Sequence, residues 1–174
     1  MIFNGSDPNV KDKFGNTPLH ILLKNINQDF RNQMKEFLNI LVENKFDFFV
    51  KNDDDESPFY HLITNTSFSF ESVHQALVRS IPNSKSDLEN KFGEIFLHVF
   101  LKKGNRKFPE DALSINGFFQ DITELKFFDI NSKDNSGTTA FMASCNFEHH
   151  YYIMMIWKKF SSTLKVNEQD NSGK

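Results

Sequence analysis

The chain of 174 residues contains a single cysteine, Cys145, and therefore cannot form an internal disulfide bond. This favours a reducing compartment, because structural disulfides accumulate in oxidising ones. The net charge of -3 provides no overall attraction to nucleic acid or to an anionic membrane. The strongest apolar run, residues 151–157, is far shorter than the roughly 20 residues that span a bilayer.

Residues 1–7 lack the basic and apolar regions of a secretory signal peptide. We therefore expect an intracellular protein, cytoplasmic or alternatively nuclear, that neither inserts into a membrane nor binds nucleic acid. Phenylalanine is abundant, with 21 residues against 3 tyrosines and 1 tryptophan. A Phe-rich core suits helix-on-helix packing, because phenyl rings need no buried hydrogen-bond partner.

A turn followed by a short helix recurs along the chain. The copies of the turn begin at residues 10, 50, 88, 132 and 168, and the aligned positions 20, 60, 98 and 142 are 40, 38 and 44 residues apart. An Asp or Asn recurs in each turn, at Asp12, Asn52, Asn90, Asp134 and Asp170. A glycine follows three residues later in four copies, and Asp55 replaces it in the second. Several copies in one register predict a repeat architecture.

The first copy shows why a helix should follow the turn. Gly15 adopts a positive φ without steric cost, which suits a tight turn. Thr17 is the predicted N-cap, and Pro18 fits the first helical position, where no backbone N–H is needed. We expect Leu19, Leu22 and Leu23 to face a core. The predicted short helices cover residues 18–24, 58–63, 96–101 and 140–145.

A longer helix is predicted in the second half of each unit. In the first unit, Met34, Phe37, Leu38, Leu41 and Val42 follow an amphipathic helical spacing. The other longer helices are expected within residues 70–78, 112–125 and 152–160. No unit buries its apolar face alone, so the units should stack into an all-α solenoid of helix-turn-helix repeats, joined by hairpin-like loops that project as fingers. The predicted single domain spans residues 1–174, with units 7–46, 47–84, 85–128, 129–164 and a partial unit 165–174.

The element Thr17-Pro18-Leu19-His20, preceded by Asp12 and Gly15, resembles the ankyrin repeat. The spacing Asn-x-x-Asp-x-x-Gly of its turn recurs at residues 131–137 and 167–173. The resemblance covers nearly the whole chain, although ankyrin units are normally about 33 residues long. The last turn stops where another helix start would follow, which predicts a piece of a longer array or a terminal half-unit.

The resemblance implies a protein-interaction scaffold without a cofactor, which grips an unknown protein partner through the finger tips and the short first helices. By position, the implied contact residues are Lys11, Lys13, Phe14, Asn16, Asp53, Asp54, Glu56, Glu89, Lys91, Phe92, Lys133, Asn135 and Ser136. One alternative is a targeting segment of a larger enzyme or effector. A further possibility is self-association through uncapped ends, which expose apolar helix faces.

Other residues that could carry chemistry have simpler interpretations. His20 and His98 are expected to be structural, bonded to the neighbouring threonine position and the turn backbone. Cys145 with His149 and His150 offers too few ligands for zinc and no signature of a nucleophilic enzyme, and we interpret it as a buried thiol beside exposed histidines. We therefore predict no metal site and no catalysis.

Two charged segments are interpreted as solvated surface. The run of residues 53–56, Asp-Asp-Asp-Glu, is too compact for a calcium loop and is expected to be a solvated finger tip, with an acidic patch for a basic partner as the alternative. The basic cluster of Lys102, Lys103, Arg106 and Lys107 is expected to be a solvated inter-helix loop.

Overall fold

The structure, a computed structural model, describes residues 7–26, 33–64, 74, 78, 80, 89, 95–102, 117, 120–121, 125, 128–146 and 150–174. Six helices are defined in these ranges: α1 Pro18–Asn25, α2 Met34–Glu43, α3 Pro58–Thr64, α4 Phe96–Lys102, α5 Ala140–Asn146 and α6 His150–Phe160. The same ranges contain isolated antiparallel bridges, Glu89 with Ile95 and Lys133 with Thr139, in place of extended strands. The described part of the chain is therefore all-α, as predicted.

The short first helices form a continuous stack, because α1 contacts α3, α3 contacts α4, and α4 contacts α5. Helix α6 packs back on α5 within the fourth unit. All four short helices were predicted, and each extends one residue beyond its expected end. The predicted longer helices at 34–42 and 152–160 correspond to α2 and α6. Those predicted at 70–78 and 112–125 lie almost entirely outside the described residues.

Helix α1 begins as the sequence predicts. Thr17 is the N-cap, with φ -82° and ψ 163°, and Pro18 occupies the first helical position. Leu19, His20 and Leu23 are buried and form the core-facing side. None of the helices in the described ranges combines the length and the apolar character that crossing a bilayer requires.

A chain of phenyl rings runs through the core and explains the abundance of phenylalanine. Phe49 contacts Phe59 with ring centroids 5.1 Å apart, and Phe59 contacts Phe96 at 6.2 Å. The chain continues from Phe96 to Phe128 at 6.5 Å and from Phe128 to Phe160 at 5.9 Å. These separations suit offset and edge-to-face aromatic packing. The phenyl chain therefore joins the second, third and fourth units in one core.

Candidate protein interface

Each described finger is closed by the side chain of one Asp or Asn. In finger 1, residues 10–17, Oδ1 of Asp12 accepts the backbone N–H groups of Phe14 at 2.8 Å and Asn16 at 2.9 Å. The same pair of bonds is made by Asn52 in finger 2, residues 50–57, by Asp134 in finger 4, residues 132–139, and by Asp170 in finger 5, residues 168–174. Such side-chain-to-backbone bonds are typical of Asx turns.

The residue three positions after that Asp or Asn adopts a left-handed conformation. The φ angle is 73° at Gly15, 78° at Gly137 and 80° at Gly173. Asp55, at the same position of finger 2, has a φ of 60°. Among the non-glycine residues, Asp is one of the few that tolerate this region. The substitution noted in the sequence therefore leaves the turn unchanged.

Neighbouring fingers are joined through their backbones. The N–H of Asp53 donates to the carbonyl oxygen of Phe14 at 3.1 Å, and the N–H of Asn171 donates to that of Ser136 at 3.0 Å. A Cβ atom added to Gly137 would lie 2.8 Å from the backbone nitrogen of Asn171. Glycine is therefore required there both for the turn and for the close approach of the next finger.

Several predicted contact residues use their polar groups within the finger row. Nζ of Lys11 donates to the carbonyl oxygen of Lys51 at 2.7 Å. Nζ of Lys133 is bonded to finger 5 in the same way, with the carbonyl of Gln169 at 2.9 Å. The predicted contact residue Asn16 is also engaged, because its Oδ1 accepts a bond from Nδ2 of Asn52 at 2.8 Å. These side chains hold the fingers in register.

Other predicted contact residues project into solvent. Phe14 is 57% exposed, and Nζ of Lys13 lies 4.9 Å from the centroid of its ring. Asp53 and Asp54 at the tip of finger 2 are exposed, and Asn135 at the tip of finger 4 is exposed as well. The turn-closing bonds described above are made by the side chains of other residues, so these exposed residues form a surface on a fixed backbone.

Two of four further candidates, Ser136 and Glu89, lie in the described part of the chain. The hydroxyl of Ser136 is bonded to Asp134 at 2.6 Å, although Ser136 as a whole is exposed. Glu89 is half-buried and pairs with Ile95 in an isolated bridge. Lys91 and Phe92 lie outside the described residues, so their role as tip contacts stays a prediction.

The interpretation of residues 53–56 as a solvated finger tip fits Asp53 and Asp54, which are exposed. Asp55 and Glu56 are half-buried and already have partners. Asp55 forms an ion pair with Lys51 at 3.0 Å, and the carboxylate of Glu56 lies 3.7 Å from Nε2 of His61. The most exposed carboxylates of the finger are therefore those of Asp53 and Asp54.

A groove of about 480 Å³ lies along finger 1 and the start of α1. Its apolar walls are Val10, Pro18, Ile21 and Leu22. Val10 is 61%, Ile21 50% and Leu22 37% exposed, so the expectation that Leu22 faces the core is wrong. Nothing in the sequence indicated this, because Leu22 stands three residues after Leu19 and so shares the spacing of the apolar face. In the structure His20 is buried beside Leu19 instead.

The two predicted structural histidines are confirmed. Nδ1 of His20 accepts the backbone N–H of Thr17 at 3.0 Å, so the neutral ring carries its proton on Nε2 and donates it to the carbonyl oxygen of Glu56 at 3.0 Å. Nε2 of His98 makes the equivalent bond to the carbonyl oxygen of Thr138 at 2.9 Å. Each histidine therefore ties a first helix to the following finger.

A third buried histidine, His61, was not singled out from the sequence. It is 7% exposed, and its ring centroid lies 6.1 Å from that of His20. Burial, with repulsion from His20 and Lys24, lowers the pKa of His61 to about 4. The pKa of His20 is also lowered, chiefly by burial. Both rings are therefore neutral at pH 7.

Lys102 was expected in a solvated loop, and that expectation is wrong. It is the last residue of α4, and its Nζ lies 2.7 Å from Oδ2 of Asp134 in finger 4. Burial alone would raise the pKa of Asp134, but hydrogen bonds from Lys102, Ser136 and the Thr138 backbone lower it to about 2. The pair joins the third unit to the fourth. Lys103, Arg106 and Lys107 lie outside the described residues.

Cys145 is exposed on α5, which corrects the interpretation of it as a buried thiol. The turn of the helix places Ala140, Ala143 and Ser144 against the core instead. His150 is exposed, as expected, and His149 lies outside the described residues. Within the described ranges, no group of three His, Cys, Asp or Glu side chains is arranged to hold a metal ion.

Comparison with known proteins identifies the fold. No protein-family model matches the chain, and no curated protein matches it. Among solved structures, the chain is similar to the crystal structure of EF0377, an ankyrin repeat protein, with a TM-score of 0.68 and 19% sequence identity. That match covers 98% of this chain and 76% of the other. At this level of identity the likeness concerns the fold, and the fold of this chain is that of an ankyrin-type α-solenoid.

Proposed function

We propose that the chain is a non-catalytic protein-interaction scaffold, which binds a protein partner through its finger tips and first helices. The proposal rests on the observation that one set of residues fixes the turn of a finger and another set is exposed at its tip. Asp12 and Gly15 fix the turn of finger 1, whereas Lys13 and Phe14 at its tip are exposed. Binding residues are commonly found on loops that a rigid scaffold positions.

The fixed backbone favours binding because little ordering is required when a partner arrives. The backbone hydrogen bonds that Asp53 donates to Phe14 and that Asn171 donates to Ser136 hold the tips in place before a partner binds. Preorganisation of this kind lowers the entropic cost of association. The tips therefore suit a role in recognition, with the side chains that vary between fingers setting the choice of partner.

The chemistry of the tips indicates a mixed apolar and basic partner surface. Phe14 offers an aromatic anchor, and the ammonium of Lys13 lies over its ring while the ring remains 57% exposed. The carboxylates of Asp53 and Asp54 lie on the adjacent finger. They favour a basic group on the partner, next to the part of the partner that contacts Phe14. The groove formed by Val10, Ile21 and Leu22 extends the apolar surface onto the first helix.

The test is a comparative pull-down with mass spectrometry on three forms of the chain. The wild type is compared with a tip variant, Phe14→Ala with Asp53→Lys and Asp54→Lys, and with the control Lys159→Ala. Lys159 is exposed on α6 and belongs to none of the fingers. We expect the tip variant to lose specific partners that the control retains. Retention of every partner by the tip variant would show that binding uses another surface.

A second proposal, self-association, rests on exposed apolar residues in the first and last described units. Val10 and Ile21 are exposed in the first unit. In the fourth unit Met154 is 65% and Trp157 48% exposed, and Val166 in the partial unit that follows is 47% exposed. Exposed apolar faces favour end-to-end contact. Light scattering at high protein concentration tests this: a rising mass supports self-association, and a constant monomer mass opposes it.

A further inference from the structure

The contact between the first and second units contains three titratable side chains, His20, His61 and Glu56. His20 lies on α1, and His61 lies on α3 with its ring edge towards His20, at an interplanar angle of 77°. The carboxylate of Glu56, at the end of finger 2, is 3.7 Å from Nε2 of His61. His20 and His61 are 1% and 7% exposed.

The hydrogen bonds of His20 require its neutral form. Nδ1 must present a lone pair to the N–H of Thr17, while Nε2 donates to the carbonyl oxygen of Glu56 in the next unit. A proton on Nδ1 would set the ring N–H against the backbone N–H of Thr17 and leave only the Thr17 hydroxyl, 2.8 Å away, as an acceptor. It would also place a buried positive charge beside the ring of His61, which is costly without a paired anion.

The charged groups around the two rings do not offset that cost. Asp12 and the Glu56 carbonyl favour a proton on His20, whereas Lys11 opposes it and burial opposes it most. At His61, the nearby carboxylate of Glu56 would favour a proton, but burial, His20 and Lys24 together oppose it. Burial and the repulsive charges together keep both imidazole rings neutral while the two units are in contact.

We propose that this cluster is an acid-sensitive latch: protonation of His20 and His61 releases finger 1 and α1 from finger 2 and α3, while the contact between α5 and finger 5 stays closed. The contrast with α5 supports this. Met142 occupies the position in α5 that His20 occupies in α1, so no imidazole there links α5 to finger 5. His98 makes the same link from α4 to finger 4, but α5, which packs on α4, contains no histidine as a counterpart of His61. The pair of neighbouring imidazoles therefore belongs to the first and second units. The proposal does not depend on the proposed function.

The size of the effect follows from proton linkage. An opened first unit binds protons near pH 6.5, whereas the closed unit holds His61 neutral down to about pH 4. The closed state is therefore fully favoured above pH 6.5 and loses stability as the pH falls towards 4. Between pH 7 and pH 5, His61 alone increases the opening equilibrium about twentyfold, and His20 adds to this in the same direction.

The experiment is amide hydrogen exchange of the full chain at pH 7 and pH 5, corrected for the intrinsic rate at each pH. We expect the opening equilibrium of α1 to rise about twentyfold or more with acid, while that of α6, which packs on α5, changes far less. The variant His61→Phe keeps a ring against His20 without a titratable group, and it should lose most of that factor. His150→Phe, at an exposed histidine, is the control and should keep it.

Two results would overturn the latch. One is an equal rise in α1 and α6, which would indicate general loosening of the chain. The other is an unchanged acid response in His61→Phe. Should that variant not fold, proton NMR titration of the wild type decides, because the assigned His61 signal should titrate near pH 4, and titration of that signal near pH 6.5 contradicts the mechanism.

Discussion

The backbone N–H of Asp53 donates to the carbonyl oxygen of Phe14 over 3.1 Å, and this bond joins the first finger to the second. The fourth and fifth fingers repeat it between Asn171 and Ser136 at 3.0 Å. Because backbone atoms make this bond, it does not require a particular side chain at Phe14 or Asp53. These side chains can differ between fingers without loss of the frame, which is the physical basis for placing recognition at the tips.

The first prediction concerns the glycine that this junction requires. Gly137→Ala should destabilise the protein by more than about 1–2 kcal/mol, the usual cost of a left-handed non-glycine residue. The added cost arises because the new Cβ would lie 2.8 Å from the backbone nitrogen of Asn171. Denaturation with urea, followed by circular dichroism, measures the free energy of unfolding.

Gly173→Ala is the matched control, since Gly173 has a φ of 80° but no atom within 4 Å of the position that an added Cβ would take. It should cost no more than the left-handed conformation alone. Equal losses of stability in the two variants would mean that the contact between fingers 4 and 5 contributes little.

The second prediction concerns the left-handed residue that is not glycine. Asp55→Gly should stabilise the protein by about 0.5 kcal/mol, because relief of roughly 1 kcal/mol of backbone strain exceeds the value of an exposed ion pair, about 0.5 kcal/mol. The ion pair in question is that between Asp55 and Lys51. Lys51→Met removes the pair alone and should be slightly destabilising. If Asp55→Gly and Lys51→Met both lowered the free energy of unfolding, the backbone strain assigned to Asp55 would be contradicted.

The third prediction concerns the phenyl chain. Phe59→Ala should destabilise the protein by about 3–5 kcal/mol, because it removes a buried ring and leaves a cavity. Phe59 is 2% exposed and contacts Phe49 and Phe96. Phe14→Ala, at a ring that is 57% exposed, should change the stability by only about 0.5 kcal/mol. Similar values for the two variants in chemical denaturation would refute the role of Phe59.

The fourth prediction is the acid dependence that Asp134 imposes. Its pKa falls from 3.8 to about 2 in the folded protein. A carboxyl with a lowered folded pKa stabilises the protein above its unfolded pKa, so this contribution, about 2 kcal/mol, is lost as the pH falls from about 4 to about 2. Thermal melts across that range should show a slope that Lys102→Met reduces. Lys159→Met, which removes an exposed lysine of α6, is the control and should keep the slope of the wild type.

The local features of the fold could be predicted from sequence because short segments determine them. Thr17 and Pro18 specify a helix start, and Gly15 specifies a left-handed turn. The stack of first helices followed from the recurrence of these signals. The aromatic composition likewise predicted a helix-packed core, although not the order of the rings.

The contacts between units could not be predicted, because they depend on how one repeat is placed over the next. The pair Lys102–Asp134 spans 32 residues, and no local pattern connects the two side chains. The approach of His61 to His20 depends on the same placement. The bond of Lys11 to finger 2 shows the consequence for the site: a charged side chain at a predicted contact position binds the neighbouring finger of the same chain.

The central claim, that the tips contact a protein partner, is tested most directly by site-specific photo-crosslinking. A photoreactive phenylalanine analogue is placed at Phe14 in one sample and at Trp157 in another, since both side chains are about half exposed. A partner that co-purifies with the chain should be crosslinked from position 14 and not from position 157. Crosslinking from position 157 alone would contradict the claim.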